Sequence, residues 1–382
     1  MQTIWKVSLA TTMAIGVAAC SDTKQITEPL APDQSEVSNQ SGGGGAVYTS
    51  TNSPEANEVL VFPRAANGSL GAPVAFATGG LGTGGGLGNQ DAVVLTSDTR
   101  RLLVVNAGSN EVSVFGVDDK GLKLLDRVSS GGATPVSIAV RRRLVYVLNA
   151  GGTGNITGFR LDTKGKLLPI PNSTRPLSSP AAGAAQVSFS PVANVLVVTE
   201  KATNVISTYR IVDGGLTVGP NVQPSVGATP FGFAFRKNGT LVVSEAFGGA
   251  PDASALSSYN VSSMGTLSVI SPSVGTTETA ACWVVITSNG RFVYTSNTGS
   301  NTISGYRLSP SGELRLLDAD GVTATTMAAP IDLALTRSSR YLYSLDSGSG
   351  AISAFSVEID GSLTPISGAA GLPAGANGLA AL

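Results

Sequence analysis

From residue 46 to the C-terminus, apolar residues recur at every second position in short runs separated by polar turns. Phe292-Val293-Tyr294-Thr295-Ser296 is followed by the polar stretch 297–301, and then by Thr302-Ile303-Ser304-Gly305-Tyr306-Arg307-Leu308. A period of two predicts strands packed on one or both faces, and no segment sustains the 3.6-residue period of a helix. Each strand pair ends in a glycine turn leading into a leucine. That turn recurs as Gly68–Leu70, Gly121–Leu122, Gly165–Leu167, Gly214–Leu216, Gly265–Leu267, Gly312–Leu314 and Gly361–Leu363. Successive glycines lie 53, 44, 49, 51, 47 and 49 residues apart. Short strands repeated at this spacing predict the four-stranded blades of a β-propeller, and seven repeats predict seven blades.

The pattern also predicts how the ring closes. Six repeats open with a short apolar strand: Val93–Thr96, Ser137–Val140, Val187–Ser190, Gly232–Phe235, Val284–Thr287 and Asp332–Leu335. The first repeat lacks one and starts at Val47-Tyr48-Thr49, while an unassigned strand, Gly378–Leu382, stands at the other end. One blade shared between the two termini leaves no exposed strand edge at a seam. The expected fold class is therefore all-β, a seven-bladed propeller over 46–382.

Composition changes this picture little. Charged residues make up 13% of the chain, the net charge is −1 and there is no histidine. That balance builds no basic field for nucleic acid, and zinc sites and Ser-His-Asp chemistry that need imidazole are excluded. No metal or other cofactor is expected. Cys282, in the apolar run Cys282–Ile286, reads as a buried residue. Asp318-Ala319-Asp320-Gly321 lacks the later ligands of a calcium loop and reads as a turn. The glycines of 79–88 lack the Lys-Ser/Thr ending of a phosphate loop, and a mobile loop between blades is expected. Arg141-Arg142-Arg143 reads as a solvated turn in preference to an anion site.

Upstream of the repeats, residues 7–19 are apolar or small and too short to span a bilayer. The ending Val17-Ala18-Ala19-Cys20 resembles the bacterial lipobox. That resemblance implies a signal peptide over 1–19 and lipidation of Cys20, and Ser21 after it implies the outer membrane. Residues 20–45, with Pro29, Pro32 and Gly42–Gly45, read as a flexible linker. The membrane is expected to be touched through the lipid alone, by a monomer.

Val145-Tyr146-Val147-Leu148-Asn149 and Val293–Asn301, with the Gly–Leu turns, are similar to the Tyr-Val-Thr-Asn repeat of the seven-bladed lactonase family. The family includes propeller-type 6-phosphogluconolactonases and carboxymuconate lactonising enzymes. The resemblance implies a Gly-Pro-Arg-His motif before one inner strand and a glutamate ending the next strand. Here the matching residues are Gly183-Ala184-Ala185-Gln186 and Glu200, so Ala185 replaces the arginine and Gln186 the histidine. Lactone hydrolysis needs a group to activate water and another to stabilise an oxyanion. The departure favours a non-catalytic binding or scaffold module. The alternative is a hydrolase or cycloisomerase of a lactone-like substrate using Glu200, with Glu245 as a second strand-end acid.

The residue before each inner strand is expected to ring the channel mouth: Ala92, Val136, Gln186, Phe231, Trp283, Ile331 and Asn377. Gln186, Phe231, Glu245, Trp283 and Asn377 are then the candidate binding residues. A mouth so lined would suit a protein, a glycan, or a small apolar or lactone-like ligand.

Overall fold

The computed structural model describes residues 44–382, and the readings at residues 1–43, including lipidation of Cys20, lie outside the described residues. Seven antiparallel sheets follow one another around a ring. Five have four strands; blades three and six each carry one extra two-residue strand, Arg175–Pro176 and Ala324–Thr325. No helix among the described residues is long and apolar enough to cross a membrane.

Closure follows the expected route. Gly45–Ser50 pairs with Asn377–Ala381, with Val47 opposite Ala381 and Thr49 opposite Leu379, so the last strand of the chain is the innermost strand of blade one. The N–H of Leu382 adds a bond to the Ala46 carbonyl.

Because each sheet has apolar residues on both faces, the core lies between blades, not inside any one of them. Tyr48 and Val59 of blade one pack with Leu102, Val104 and Phe115 of blade two. Leu103 and Val114 on the opposite face of blade two pack with Val145, Val147 and Phe159 of blade three. The two sequence motifs meet at these interfaces. The Tyr294 hydroxyl donates to the Gly361 carbonyl of the next blade at 2.8 Å, and Tyr343 donates to Gly68 at 2.7 Å across the closing seam. Gly68 and Gly361 have φ of +89° and +100°, where a side chain would be strained and would also strike Tyr341 or Phe292. The repeated tyrosine and the repeated Gly turn are thus two halves of one inter-blade joint.

The first strand of each blade lines the channel and begins earlier than its apolar run suggests: Ala133, Ala184, Pro230, Ala281 and Pro330 in blades three to seven. In all five the pairing skips near the start, at Val136, Ala185, Phe231–Gly232, Cys282–Trp283 and Ile331. Gly378 is skipped likewise in blade one. A bulge shifts the side-chain alternation by one residue, which re-aims everything before it.

Candidate functional site

An innermost strand has a partner on one side only, so its other edge turns backbone N–H and C=O groups into the channel. Buried groups of this kind must be paired. Six inner strands present an N–H close to the bulge, from Ile138, Val187, Phe233, Val284, Leu333 and Leu379, opposite Val147, Val198, Val243, Thr295, Ser344 and Thr49 of their partner strands. All six are bonded. Ser137 Oγ accepts from Val187 at 3.1 Å, and Gln186 Oε1 from Phe233 at 2.6 Å. Asp332 takes Leu333 on one oxygen at 2.8 Å and Leu379 on the other at 2.9 Å. In the first two pairs, and between Asp332 and Leu379, a side chain of one blade satisfies the edge of the next.

The series breaks at blade five, where the corresponding residue is Gly232. Its duty passes to Gln90, whose Oε1 accepts from Val284 N at 3.1 Å while Nε2 donates to the Val284 carbonyl at 2.9 Å. A Cβ on Gly232 would fall on the Gln90 amide oxygen and lie 2.5 Å from the Cys282 carbonyl. Gln90 belongs to Leu87–Asp91, which threads into the channel. Asn89 donates to the Val136 carbonyl and accepts the Trp283 indole N–H at 2.7 Å. Gln90 N reaches the Ala185 carbonyl at 3.2 Å, and the Asp91 carbonyl accepts Ile138 N at 2.9 Å. Lys201 donates to the Gly88 carbonyl. One segment therefore ties blades three, four and six together across the axis and plugs the channel.

The glycine-rich stretch before the plug is not the expected mobile loop. Gly82 N and Gly84 N donate to the Ser53 and Asn52 carbonyls at 2.7 and 2.8 Å, and Asn52 Nδ2 donates to the Gly85 carbonyl at 2.7 Å. A Cβ at Gly82 or Gly108 would collide with backbone. The glycines allow this strap to lie against blades one and two.

The plug overturns the expected mouth. Ala92, Val136, Gln186, Phe231, Trp283, Ile331 and Asn377 are all buried, none more than 3% exposed. Phe231 and Trp283 pack in a tilted contact, centroids 4.9 Å apart and planes inclined by 57°, and Lys201 Nζ sits 4.7 Å from the Phe231 centroid. The bulges are the reason. Val136, Phe231, Trp283 and Ile331 lie within the skipped stretches, whereas Gln186 lies one step after its bulge and Asn377 one step before, so the seven residues never formed a single ring.

Glu200 and Glu245 end equivalent strands, as expected, but both are fully buried and not solvated. Glu200 accepts from Ser178 N at 3.2 Å on both oxygens, and from the Ser178 hydroxyl. Glu245 accepts from Gly227 N at 2.8 Å and from Ser257 and Ser273 at 2.6 Å. The same position holds Asn106, Asn149, Asn297 and Asp346 in other blades. Asn106 and Asn297 each bond a serine of the third strand at 2.8 Å, and Asp346 bonds Ser353 at 2.5 Å. The glutamates are variants of a latch that every one of these blades has.

The structure joins the candidate Gln186 to Asp91 and sets Asp91 near Asp332, two acids that sequence reasoning missed; Lys201, also missed, meets the same plug at Gly88. Gln186 Nε2 donates to Asp91 at 2.6 Å. Burial pushes the Asp91 carboxyl up to about 6, against the opposing pull of that bond. Asp332 is raised well above the usual range, by burial first and by the Asp91 charge second. Burial lowers Lys201 to about 8. Asp91 and Lys201 keep partial exposure, whereas Asp332 is 2% exposed. Perturbed groups in a cleft can mark a working site or a structural network. Among the described residues no cluster of three His, Cys, Asp or Glu could hold a metal.

The family model described as "Lactonase, 7-bladed beta-propeller" matches residues 77–376. No curated protein sequence matches the chain. Solved structures share the fold at low identity. A periplasmic gluconolactonase of Pseudomonas aeruginosa is 14% identical with a TM-score of 0.66, covering 88% of this chain and 99% of that one. A Bacteroides uniformis protein, provisionally a 6-phosphogluconolactonase, is 18% identical with a TM-score of 0.69, covering 87% and 99%. A Lactobacillus plantarum protein is 16% identical with a TM-score of 0.70, covering 89% and 100%.

Two outcomes are expected from this network. Gln90→Ala leaves the Val284 N–H and C=O unpaired and should cost about 1–3 kcal/mol for each buried group. Gly232→Ala should also destabilise, because its methyl displaces the Gln90 amide. Urea unfolding of both single variants and the double should therefore show the double costing less than the sum; strict additivity would mean that the two residues act separately. The second outcome concerns pH. The folded state holds protons on Asp91 and Asp332 that the unfolded chain has lost above about 4. Stability should be full below that value and fall as pH rises through about 6 as Asp91 ionises, with Asp332, raised further, continuing the fall beyond it. Asp346, also raised to about 6 by burial, acts in the same window. Asp91→Asn should flatten the melting profile between these limits, and an unaltered profile would rule Asp91 out as a contributor.

Proposed function

The chain belongs to the seven-bladed β-propeller lactonase family, and from that premise we propose that it is a non-catalytic member, a binding or scaffold propeller tethered to the cell envelope through Cys20. The observation that carries this reading is the plug. At the positions matching the family's motif, Ala185 and Gln186 lie beneath Gln90 and Asp91, and both polar ends of Gln186 are committed to Asp91 and Phe233. Glu200 has its oxygens occupied by Ser178 and has no route to water as a general base. With no histidine in the chain, nothing at these positions both activates water and meets an oxyanion. A protein or glycan partner would meet the outer surface of the ring, since the apolar side chains of the mouth are consumed inside.

A second reading draws on one specific observation: Asp91 and Lys201, both partly exposed, have a raised and a lowered pKa near neutrality. Asp91 as base and Lys201 as the cationic partner of an oxyanion would be a histidine-free lactonase pair.

Assays with 6-phosphogluconolactone and simple γ- and δ-lactones separate the two readings. No hydrolysis above the buffer rate is expected. Turnover abolished by Asp91→Asn and Lys201→Met but kept in Glu200→Gln would install the second reading, and turnover abolished by Glu200→Gln alone would restore the family's acid to its role. Glu200→Gln should itself cost about 1–3 kcal/mol of stability, because its new NH2 faces the Ser178 donors. The tether is tested separately: Cys20→Ser should move the protein from the membrane to the soluble fraction, and unchanged fractionation would contradict the anchor.

A further inference from the structure

On the face of the ring formed by the hairpins between first and second strands, a pocket of about 430 Å3 opens between blades two and three. Its walls carry Arg100 and Arg101 from one hairpin, Arg142 and Arg143 from the next, and two acids, Asp98 and Asp162. The plug belongs to the loops that lead into the first strands, so this pocket is separate from the candidate site.

The arginines of this face fall into two groups. Most are engaged. Arg141 stacks 4.8 Å over Phe189 and donates to the Ala193 carbonyl at 3.1 Å, so it is a blade clasp and not the expected solvated turn residue. Arg236 donates to the Ser309 carbonyl at 2.8 Å, and Arg291 and Arg340 lie over Phe292 and Tyr341. Arg101 is held by the Arg100 and Thr163 carbonyls at 2.8 and 3.2 Å. The guanidinium groups of Arg100, Arg142 and Arg143, in contrast, make no hydrogen bond or ion pair among the described residues, and all three are exposed.

The two acids meet them only weakly: the Arg100 and Arg101 charges are the smallest of the pulls on Asp98, and neither acid makes an ion pair with any of the three. Asp98 accepts from the Thr96 hydroxyl at 2.7 Å and from Arg100 N at 3.1 Å, and Asp162 accepts from Lys166 N and Lys164 N at 2.8 Å. Those bonds to the turns' own donors hold both carboxyls below their ordinary range, Asp98 chiefly through Thr96 and Asp162 chiefly through the Lys166 N–H. Each acid therefore spends its acceptor capacity shaping its own hairpin. Four guanidinium groups against two committed carboxylates leave an excess of two positive charges around one concavity.

We infer that this pocket is a binding site for a phosphate-bearing ligand, gripped by Arg100 and Arg143 from opposite walls with Arg142 beside them. Planar forked donors suit tetrahedral oxyanions, which accept paired N–H bonds from each guanidinium. The pocket falls in the size range of small-molecule sites and would hold the phosphate with the group that carries it. The phosphate can come from a soluble ester or from a lipid headgroup, and the two sources share this chemistry.

The test uses the full chain at low ionic strength, titrated by calorimetry with glucose 6-phosphate and with glucose as control. A parallel arm measures co-sedimentation with vesicles of phosphatidylglycerol and of phosphatidylcholine. Binding of the ester but not of glucose, weakened roughly a hundredfold or more in Arg100→Ala/Arg143→Ala, is expected, since each arginine removed forfeits a charge-assisted pair. Arg100→Lys/Arg143→Lys should fall between, having the charge without the fork. Binding of phosphatidylglycerol vesicles alone, with the same arginine dependence, would assign the phosphate to a headgroup. Equal binding by the parent and the alanine variant, or no binding to any of these probes, would overturn the site. Both residues are exposed on hairpins, so thermal melts of the variants should coincide with the parent. Single Arg100→Ala serves if the double variant does not fold.

Discussion

The hydrogen-bond donors along the inner edge of each blade are the constraint on which the rest of this propeller depends. Seven sheets arranged about an axis leave seven first strands with one unpaired edge apiece, facing a channel that Leu87–Asp91 fills. An unpaired buried N–H costs about 1–3 kcal/mol, and six of them would offset a large part of a domain's net stability of about 5–15 kcal/mol. The chain answers with side chains that reach from blade to blade: Ser137 to Val187, Gln186 to Phe233, Asp332 to Leu379. Where Gly232 cannot reach, the plug supplies Gln90. Asp332 has a second importance, because Leu379 lies on the C-terminal strand. The bond from blade seven to blade one fastens the seam that strand pairing closes.

This use of polar groups bears directly on function. In a lactonase-like propeller, the inner-strand starts and the ends of the neighbouring strands are where reacting groups would stand. Here those positions are occupied by structure. Gln186 is pinned at both ends, Glu200 is a latch to Ser178, and Phe231 and Trp283 pack on each other, with Asn89 bonded to the Trp283 indole and Lys201 over Phe231. The arrangement retains the cost of a close carboxyl pair, Asp91 and Asp332, whose charges oppose each other. That cost is relieved by keeping protons on the pair, which couples the plug to pH. A cationic concavity in which Arg100, Arg142 and Arg143 are left uncommitted lies instead on the hairpin face, between blades two and three.

Much of the fold was legible in the sequence because it rests on repetition. The period of the Gly–Leu turn, the missing first strand of repeat one and the spare strand at 378–382 needed only alternation and counting, and the pairing of Val47 with Ala381 agrees with them. The candidate site was less legible, for a local reason. A bulge near the start of the inner strand in six blades moves the alternation by one, so that the position before the apolar run meant different things in different blades. Asp91 and Asp332 each stood next to a chosen residue, Ala92 and Ile331, and Lys201 next to Glu200. An aspartate opening an apolar strand was the available signal, since a carboxylate there must have a partner or a proton. The strap and plug gave less warning. Glycine permits a close-lying backbone as readily as a loose one, and Asn52, which holds the strap, is about 30 residues away in sequence.

The central claim, that Leu87–Asp91 fills the channel and completes the inner edges, is tested most directly by residue-resolved amide hydrogen exchange on the native protein. Val284, Phe233, Leu379 and Ile138 are expected to exchange as slowly as the middle strands of their blades, with Gln90 protected alongside them, because all five amides are bonded inside a closed channel. Exchange of Gln90 and Val284 at the rate of an exposed hairpin such as 97–100, with the blade strands still protected, would mean that the plug does not occupy the channel in solution and that the inner edges are served by water.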